Sequence, residues 1–224
     1  DEVDFDRDYL DEARRYYFNI VGKYGTQVQT VLKKAAGLDI TTICPLHGPI
    51  LTETIPHVLA LYQTWSSYGV ESEGVFIAYA SLHGNTAAAA EKLADLLRSK
   101  GCPKVTVADL ARCDMAEALE DAFRYGKIVL AASTYNAGIM PFMEDFLHHL
   151  KAKNYQKRTV GLMENGSWAP ASGKGMQKIL QPLKEWQQME DTFTIRSALR
   201  EEQVSEVDAL ADALAASVAQ TAKE

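Results

Sequence analysis

Between residues 75 and 221, short apolar runs alternate with longer stretches in which apolar residues recur every three or four positions. The short runs are rich in Val, Ile and aromatic residues, which is typical of buried strands, and the longer stretches have the period of an amphipathic helix. The pattern predicts strands at 75–79, 105–109, 127–132, 158–163 and 192–196. It predicts helices at 86–99, 114–124, 140–151, 173–188 and 201–221.

This alternation predicts an α/β fold. Successive strand–helix units favour a parallel five-stranded sheet with helices on both faces, and right-handed crossovers favour the doubly wound strand order 2-1-3-4-5. The polar stretch 67–74 contains glycine at positions 69 and 74 and marks a boundary. We therefore expect two regions, residues 1–70 and residues 71–224, of which the second carries the sheet.

The first region has a mainly helical pattern. Apolar residues from Tyr9 to Tyr17 form a helical stripe, and further helices are predicted at 26–36 and 53–66. A short strand is predicted at 39–43, followed by a proline-bracketed loop. Because one strand and three helices contain too little sheet for an α/β domain, we interpret this region as the tail of a larger domain.

Composition and charge restrict the possible partners and compartment. The 224 residues are 47% hydrophobic and 24% charged, as in an ordinary globular protein. A net charge of −7 argues against nucleic acid or an anionic membrane as a partner. No apolar stretch approaches the ~18 residues of a membrane span, and no signal peptide is evident. Cys44, Cys102 and Cys113 lack metal-pair spacing, so we expect reduced thiols and a cytoplasmic location. The first residue is Asp rather than Met, which suggests a processed chain or a fragment.

Three predicted strand-to-helix loops share an unusual composition. The loops after the first, third and fourth predicted strands combine glycine, small polar residues and, in two cases, an aromatic residue. In a doubly wound sheet, ligands bind beyond the carboxyl ends of the strands. Any one such loop could serve only to cap a helix, but the three together indicate a binding site. The loops are 81–86, 133–138 and 164–170.

The first loop has the features of a phosphate site. It joins a strand to a helix N-terminus, where unpaired N–H groups and the helix dipole favour an anion. The loop contains neither the Lys of a P-loop nor a G-x-G-x-x-G pattern. Lys174, in a partial Walker-like stretch, lacks the required glycine and following hydroxyl, and is interpreted as a solvated residue at a helix start. With aromatic walls from the other loops, the three together predict a site for flavin mononucleotide (FMN).

Two sets of motifs resemble known families. The loops containing Ser81–Thr86 and Thr134–Asn136 resemble those of flavodoxins. The stretches Arg15–Val21, Cys44–Ile50 and Tyr62–Ser66 extend the resemblance to the C-terminal part of flavodiiron proteins, in which a metallo-β-lactamase-like domain with a di-iron centre precedes a flavodoxin-like domain. The resemblance implies that residues 1–70 are the end of the first domain and residues 71–224 are the FMN-binding domain.

The resemblance also implies which residues bind the cofactors. The phosphate contacts would be Ser81, Leu82, His83, Gly84, Asn85 and Thr86. The ring contacts would be Thr134, Tyr135, Asn136, Ala137, Gly138, Asn165, Gly166, Ser167, Trp168 and Ala169. The sequence departs from the family, which often has Pro at the position of Ser133 and Asn at the position of Ala137. His47 corresponds to the last histidine ligand of the di-iron centre, but the other ligands are absent from this sequence, so iron binding requires a missing segment. For this chain alone, an ordinary loop histidine is the alternative interpretation.

The function implied by the resemblance is electron transfer. The chain would pass electrons from a rubredoxin-type donor through FMN to a di-iron site that reduces dioxygen to water or nitric oxide to nitrous oxide. In the family the flavin and iron sites meet across a head-to-tail homodimer. Two alternatives remain open: a free-standing flavodoxin-like electron carrier, or a non-redox interaction module. We expect an enzyme only as part of a complete flavodiiron oxidoreductase, and no catalytic side chains are assigned.

Overall fold

A computed structural model of the chain describes residues 1–221, with side chains up to residue 218. Its centre is a sheet with the strand order β2-β1-β3-β5-β6, in which β7 also pairs with β5. The two short strands β6 and β7 share one edge of β5: β6 lies beside the start of β5 and β7 beside its end. The strands are β1 (Ser72–Ala80), β2 (Val105–Asp109), β3 (Tyr125–Tyr135), β4 (Gly138–Ile139), β5 (Thr159–Asn165), β6 (Gln187–Gln188) and β7 (Phe193–Ile195).

The doubly wound order predicted from the sequence is confirmed. The five predicted strands correspond to β1, β2, β3, β5 and β7, and their pairings are all parallel. The sheet contains two further short strands that the sequence did not indicate, because β4 and β6 have only two residues each. β4 runs antiparallel to the end of β3 and forms a hairpin with it.

Helices cover both faces of the sheet. In β1, Val75 and Ile77 face one side, while Phe76 and Ala78 face the other, as expected for a strand with alternating side chains. One face is packed by α5 (Asn85–Ser99) and α9 (Val204–Thr221). The opposite face is packed by α6 (Met115–Arg124), α7 (Pro141–Ala152) and α8 (Ser172–Leu180), together with the N-terminal segment.

The N-terminal segment shares this second core. It contains α1 (Phe5–Asp8), α2 (Leu10–Tyr16), α3 (Gly25–Ala35) and α4 (Ile55–Ser66), with a π-helical turn at Tyr17–Val21 and a 3₁₀ turn at Gly22–Tyr24. The ring of Phe18 stacks on Phe123 of α6 with a centroid distance of 4.2 Å. The buried Arg158 guanidinium donates hydrogen bonds to the carbonyls of Tyr68, Gly69 and Phe123. The chain between α4 and β1 is therefore held at the base of the sheet.

Two predictions about secondary structure were wrong. Residues 39–43 form no strand: the pairing is a single antiparallel bridge between Ile43 and Leu51. The helix predicted at 173–188 ends at Leu180: Gln181 still has helical backbone angles (φ −47°, ψ −40°), but Pro182 has no N–H to donate to a helical carbonyl. The stripe from Tyr9 to Tyr17 begins at the N-cap of α2, runs along that helix and ends in the π-helical turn.

Candidate functional site

The three loops singled out by their composition meet in one cleft at the carboxyl ends of β1, β3 and β5. The cleft has a volume of about 570 Å³. Twelve of its fourteen lining residues are among the predicted contacts: Leu82, His83, Asn85, Thr86, Thr134, Asn136, Ala137, Asn165, Gly166, Ser167, Trp168 and Ala169. The position matches the general rule for ligands of doubly wound sheets.

Four predicted contacts do not line the cleft, and two lining residues were not predicted. Ser81, Gly84, Tyr135 and Gly138 belong to the same loops but lie outside the lining. Ser133 and Ser197 line the cleft in addition. Ser133 lies near the end of β3 and Ser197 lies just after β7, so the rule that carboxyl ends of strands carry ligand contacts could have indicated both.

The first loop prepares an open helix N-terminus. Gly84 has φ of 89°, a left-handed conformation that glycine adopts without strain, and it turns the chain into α5. The Gly84 N–H donates to Ser81 Oγ (3.1 Å), which closes the turn. Among the side chains of residues 1–218, none caps the helix start, and the space that a Cβ on Gly84 would occupy is open. The first N–H groups of α5 are therefore available to an anion.

The second loop is a tight hairpin between β3 and β4. Tyr135 pairs with Gly138, so Asn136 and Ala137 are its two central residues, and both have positive φ (48° and 59°). This is the type I′ geometry that suits the twist of a hairpin. Ala137 adopts a conformation that costs a residue with a Cβ about 1–2 kcal/mol. The hairpin thus holds a strained backbone turn at the wall of the cleft.

The third loop is anchored by hydrogen bonds at both ends. Asn165 exchanges two hydrogen bonds with the backbone of Ser197: its Nδ2 donates to the carbonyl (2.8 Å) and its Oδ1 accepts from the N–H (3.1 Å). Thr134 Oγ1 accepts hydrogen bonds from the N–H groups of Ala171 (2.9 Å) and Ser172 (3.3 Å). Between these anchors, the indole of Trp168 is 87% exposed. The loop therefore presents an aromatic surface on a constrained backbone.

The donor set of the cleft suits a phosphate attached to an apolar ring system. Among the described residues, the lining contains no carboxylate and no Lys or Arg. Its polar groups are hydroxyls, amides, the imidazole of His83 and the N-terminus of α5. Neutral donors and a helix dipole bind phosphate without a cation, and Trp168 supplies an apolar wall. These residues fit FMN.

The donor set near His47 does not by itself fit an iron centre. The His47 side chain is exposed, and its ring lies 5.5 Å from the ring of Tyr16. Within residues 1–221, no three His, Cys, Asp or Glu side chains are grouped closely enough to hold a metal ion. His57 is paired with Asp6 (2.7 Å), and His149 lies 3.7 Å from Asp145.

Comparison with known proteins assigns the family. Residues 76–219 match the family model described as a flavodoxin domain. The chain belongs to the flavodoxin domain family. Family membership supports FMN as the cofactor of the cleft.

The flavodoxin domain and its N-terminal segment together match longer proteins. The chain is 27% identical over 165 residues to a rubredoxin-oxygen oxidoreductase of Megalodesulfovibrio gigas, covering 72% of this chain and 40% of that protein. It is 24% identical over 172 residues to an anaerobic nitric oxide reductase flavorubredoxin of Aeromonas hydrophila, covering 75% of this chain and 34% of that protein. A solved flavo di-iron protein from Thermotoga maritima superposes with a TM-score of 0.81 at 22% identity, covering 94% of this chain and 52% of that one.

These matches confirm the resemblance to the C-terminal part of flavodiiron proteins that the motifs indicated. The chain spans 40% and 34% of the length of these two curated relatives. The structural match confirms the fold, and it includes the helical N-terminal segment. Across residues 1–221, no helix has both the length and the apolar composition required to cross a bilayer.

Proposed function

We propose that this chain is the FMN-binding electron-transfer module of a flavodiiron oxidoreductase. The observation that carries the proposal is the meeting of three separate loops in one cleft that has an open helix N-terminus and no carboxylate among its described lining residues. When bound, FMN supplies reversible redox chemistry and can pass electrons one at a time. The residues of the chain bind the phosphate at α5 and provide a wall for the ring with the second and third loops.

The complete activity and partners are part of the same proposal. Electrons come from a rubredoxin-type donor and pass to a di-iron site that reduces dioxygen or nitric oxide, as the names of the relatives suggest for those proteins. His47 contributes to that site only with ligands from a further segment. The module works in the cytoplasm, where its three free cysteines stay reduced, and as a head-to-tail homodimer.

We also propose that residues 1–70 are the end of a metallo-β-lactamase-like domain and residues 71–224 the flavodoxin-like domain. The first region exposes several large apolar side chains, although it also packs against the sheet. Leu46 is 97% exposed and Ile20 is 61% exposed. A contiguous apolar patch is typical of a surface that another part of the protein covers, and the proposal requires these side chains to form one.

Visible absorption of the purified chain tests the cofactor. We expect flavin bands, or stoichiometric uptake of added FMN with quenching of its fluorescence. A colourless protein that cannot take up FMN would exclude both redox functions and leave the interaction module. Iron analysis of the intact protein, together with any upstream fragment, then separates the flavodiiron module from a free-standing carrier. Size-exclusion chromatography with light scattering tests the dimer.

Asn85→Asp tests the phosphate site directly. Asn85 is the first residue of α5 and lines the cleft, so a carboxylate there would oppose the phosphate dianion. We expect the FMN affinity to fall by about tenfold or more, because like charges at short range repel by more than ~1 kcal/mol. The control is Asn85→Ser, which removes the amide without adding charge. Unchanged FMN affinity in Asn85→Asp would place the phosphate elsewhere.

A further inference from the structure

Ser133 connects the first and second loops of the cleft. Its Oγ accepts a hydrogen bond from the N–H of Leu82 (3.3 Å) and lies 2.9 Å from Oγ1 of Thr86. Leu82 belongs to the phosphate loop, and Thr86 is in the first turn of α5. Ser133 lies near the end of β3, so one hydroxyl joins a strand, a loop and a helix start.

The backbone of Ser133 is held on two sides. It lies opposite Asn165 in the pairing of β3 with β5, and its carbonyl accepts a hydrogen bond from the N–H of Met140 beyond the hairpin (3.1 Å). The side chain of Thr86 is also restrained, because this residue is almost fully buried. The two hydroxyls therefore meet between rigid elements, where little ordering is needed when a ligand binds.

The hydrogen atoms of this pair can be counted. A hydroxyl has one hydrogen to donate and two lone pairs to accept with. Ser133 Oγ already accepts from Leu82, and the bond between Ser133 and Thr86 uses the hydrogen of one of the two hydroxyls. One hydroxyl hydrogen is left. When Ser133 donates to Thr86, a continuous chain runs from the Leu82 N–H through Ser133 to Thr86, and each bond polarises the next.

We propose that Ser133 is a positioning residue for phosphate recognition: it orients the Thr86 hydroxyl so that the remaining O–H of the pair donates to the phosphate of the ligand. The proposal deepens, and rests on, the proposed binding of FMN in this cleft. Both residues line the cleft, and no carboxylate among its described lining residues competes for the hydrogen. Ser133 thus makes the cleft selective for a phosphorylated flavin.

Riboflavin is the probe that isolates this effect. It has the ring system and ribityl chain of FMN but no phosphate. We expect Ser133→Ala to weaken FMN binding by about tenfold, since a hydrogen bond to a charged group is stronger than one between neutral groups. Riboflavin affinity should change by less than about twofold, because it makes no phosphate contact. Ser133→Thr keeps the hydroxyl and should retain the FMN affinity of the natural chain.

A double-mutant cycle with Thr86→Val tests whether Ser133 acts through Thr86. Removing the Ser133 hydroxyl should cost little in a chain that already lacks the Thr86 hydroxyl. The control is Ser99→Ala, at the far end of α5, where the hydroxyl bonds only to the local carbonyl of Leu96 in the described structure. Dissociation constants come from the quenching of flavin fluorescence, and unfolding of each ligand-free variant is measured in parallel.

The outcomes are distinct. A selective loss of FMN affinity in Ser133→Ala that Ser133→Thr rescues supports the proposal. Equal losses for FMN and riboflavin, or additive effects of the two substitutions, would overturn it and make Ser133 a purely structural residue. If Ser133→Ala does not fold, the variants Thr86→Ser and Thr86→Val are compared by the ratio of their FMN and riboflavin dissociation constants. This comparison then decides, since only Thr86→Ser keeps the hydroxyl. Failure of the natural chain to bind FMN would instead refute the proposed function.

Discussion

Trp168 is a large apolar side chain that contributes almost nothing to the core, because 87% of its surface is exposed. We expect Trp168→Ala to weaken FMN binding and accelerate flavin release, since an aromatic contact is worth ~0.5–1.5 kcal/mol beyond the area it buries. The free energy of unfolding of the ligand-free chain should change by less than about 0.5 kcal/mol. Stopped-flow release of flavin and urea unfolding measure the two quantities.

The control for Trp168 is Trp186→Ala. Trp186 is partly buried and packs against the apolar core on the face of the sheet that α6, α7 and α8 cover. Its truncation should therefore lower stability and leave flavin release unchanged. If Trp168→Ala lowered stability without affecting flavin release, Trp168 would be a packing residue.

The residues of the cleft differ in how far the sequence could predict them. Asn85, Asn165 and Trp168 lie in loops whose composition was informative, and all three line the cleft. Ser133 and Ser197 were not predicted as contacts, although Ser133 opens the loop 133–138 and both lie at carboxyl ends of strands. Their role depends on which hydroxyl and backbone groups the sheet places opposite them, which only tertiary structure determines.

Among the helices and strands, those with strong hydrophobic periodicity were predicted correctly from the sequence, and the short segments were not. The order of the strands followed from buried runs such as that around Val129 and from the amphipathic helices between them. Residues 39–43 have strand-forming side chains, but their pairing in the structure is the single Ile43–Leu51 bridge. Their local preference for extended backbone was not sufficient without a neighbouring strand to pair with. Pro182 lies within the predicted helix 173–188, and it is the signal in the sequence that agrees with the observed end of α8 at Leu180.

Helix α6 carries an acidic group whose charge opposes folding. Burial raises the pKa of Glu120 from 4.5 to about 8, although the adjacent Arg14 guanidinium favours the charged form. Burial likewise raises the pKa of Asp121 from 3.8 to about 6. Arg14 is already paired with Glu71 (2.6 Å) and Asp11 (2.7 Å), so it is shared among three carboxylates. Burial therefore outweighs the attraction of Glu120 to the shared Arg14 guanidinium, and the pKa of Glu120 is raised.

The sign of the pH dependence follows from these shifts. Between about pH 4.5 and pH 8 the folded chain holds a proton on Glu120 that the unfolded chain has lost, so stability decreases as pH rises. We expect the free energy of unfolding to fall by about 2 kcal/mol from pH 6 to pH 8, as one pKa unit is worth ~1.4 kcal/mol. Urea unfolding across this range measures the slope.

Glu120→Gln should flatten that slope, because the neutral amide has no proton to lose. Glu117→Gln, an exposed position on the same helix, should leave it unchanged. A slope that persists in Glu120→Gln would show that another group is responsible.

For the molecule as a whole, the N-terminal segment and the sheet share one apolar core. Phe18 of the π-helical turn is 1% exposed and stacks on Phe123 of α6, and Phe123 in turn packs against Tyr155 near the start of β5. The side chain of Lys153 donates to the carbonyl of Asn19 (2.8 Å), which adds a polar tie to α7. Although the two regions differ in sequence pattern, these contacts predict that they unfold together.

Phe18→Ala tests this cooperativity. Loss of a buried phenyl ring should lower the free energy of unfolding by about 3–5 kcal/mol. Because the segment and the sheet share the core, amide hydrogen exchange in β3 at Ile128–Leu130 should accelerate to the same extent as exchange in α4. Ile20→Ala, in the same turn but 61% exposed, should change stability by less than about 0.5 kcal/mol. Faster exchange confined to residues 1–66 would mean that the sheet is stable without the segment, and the packed N-terminal helices would then be an accessory to an independent flavodoxin domain.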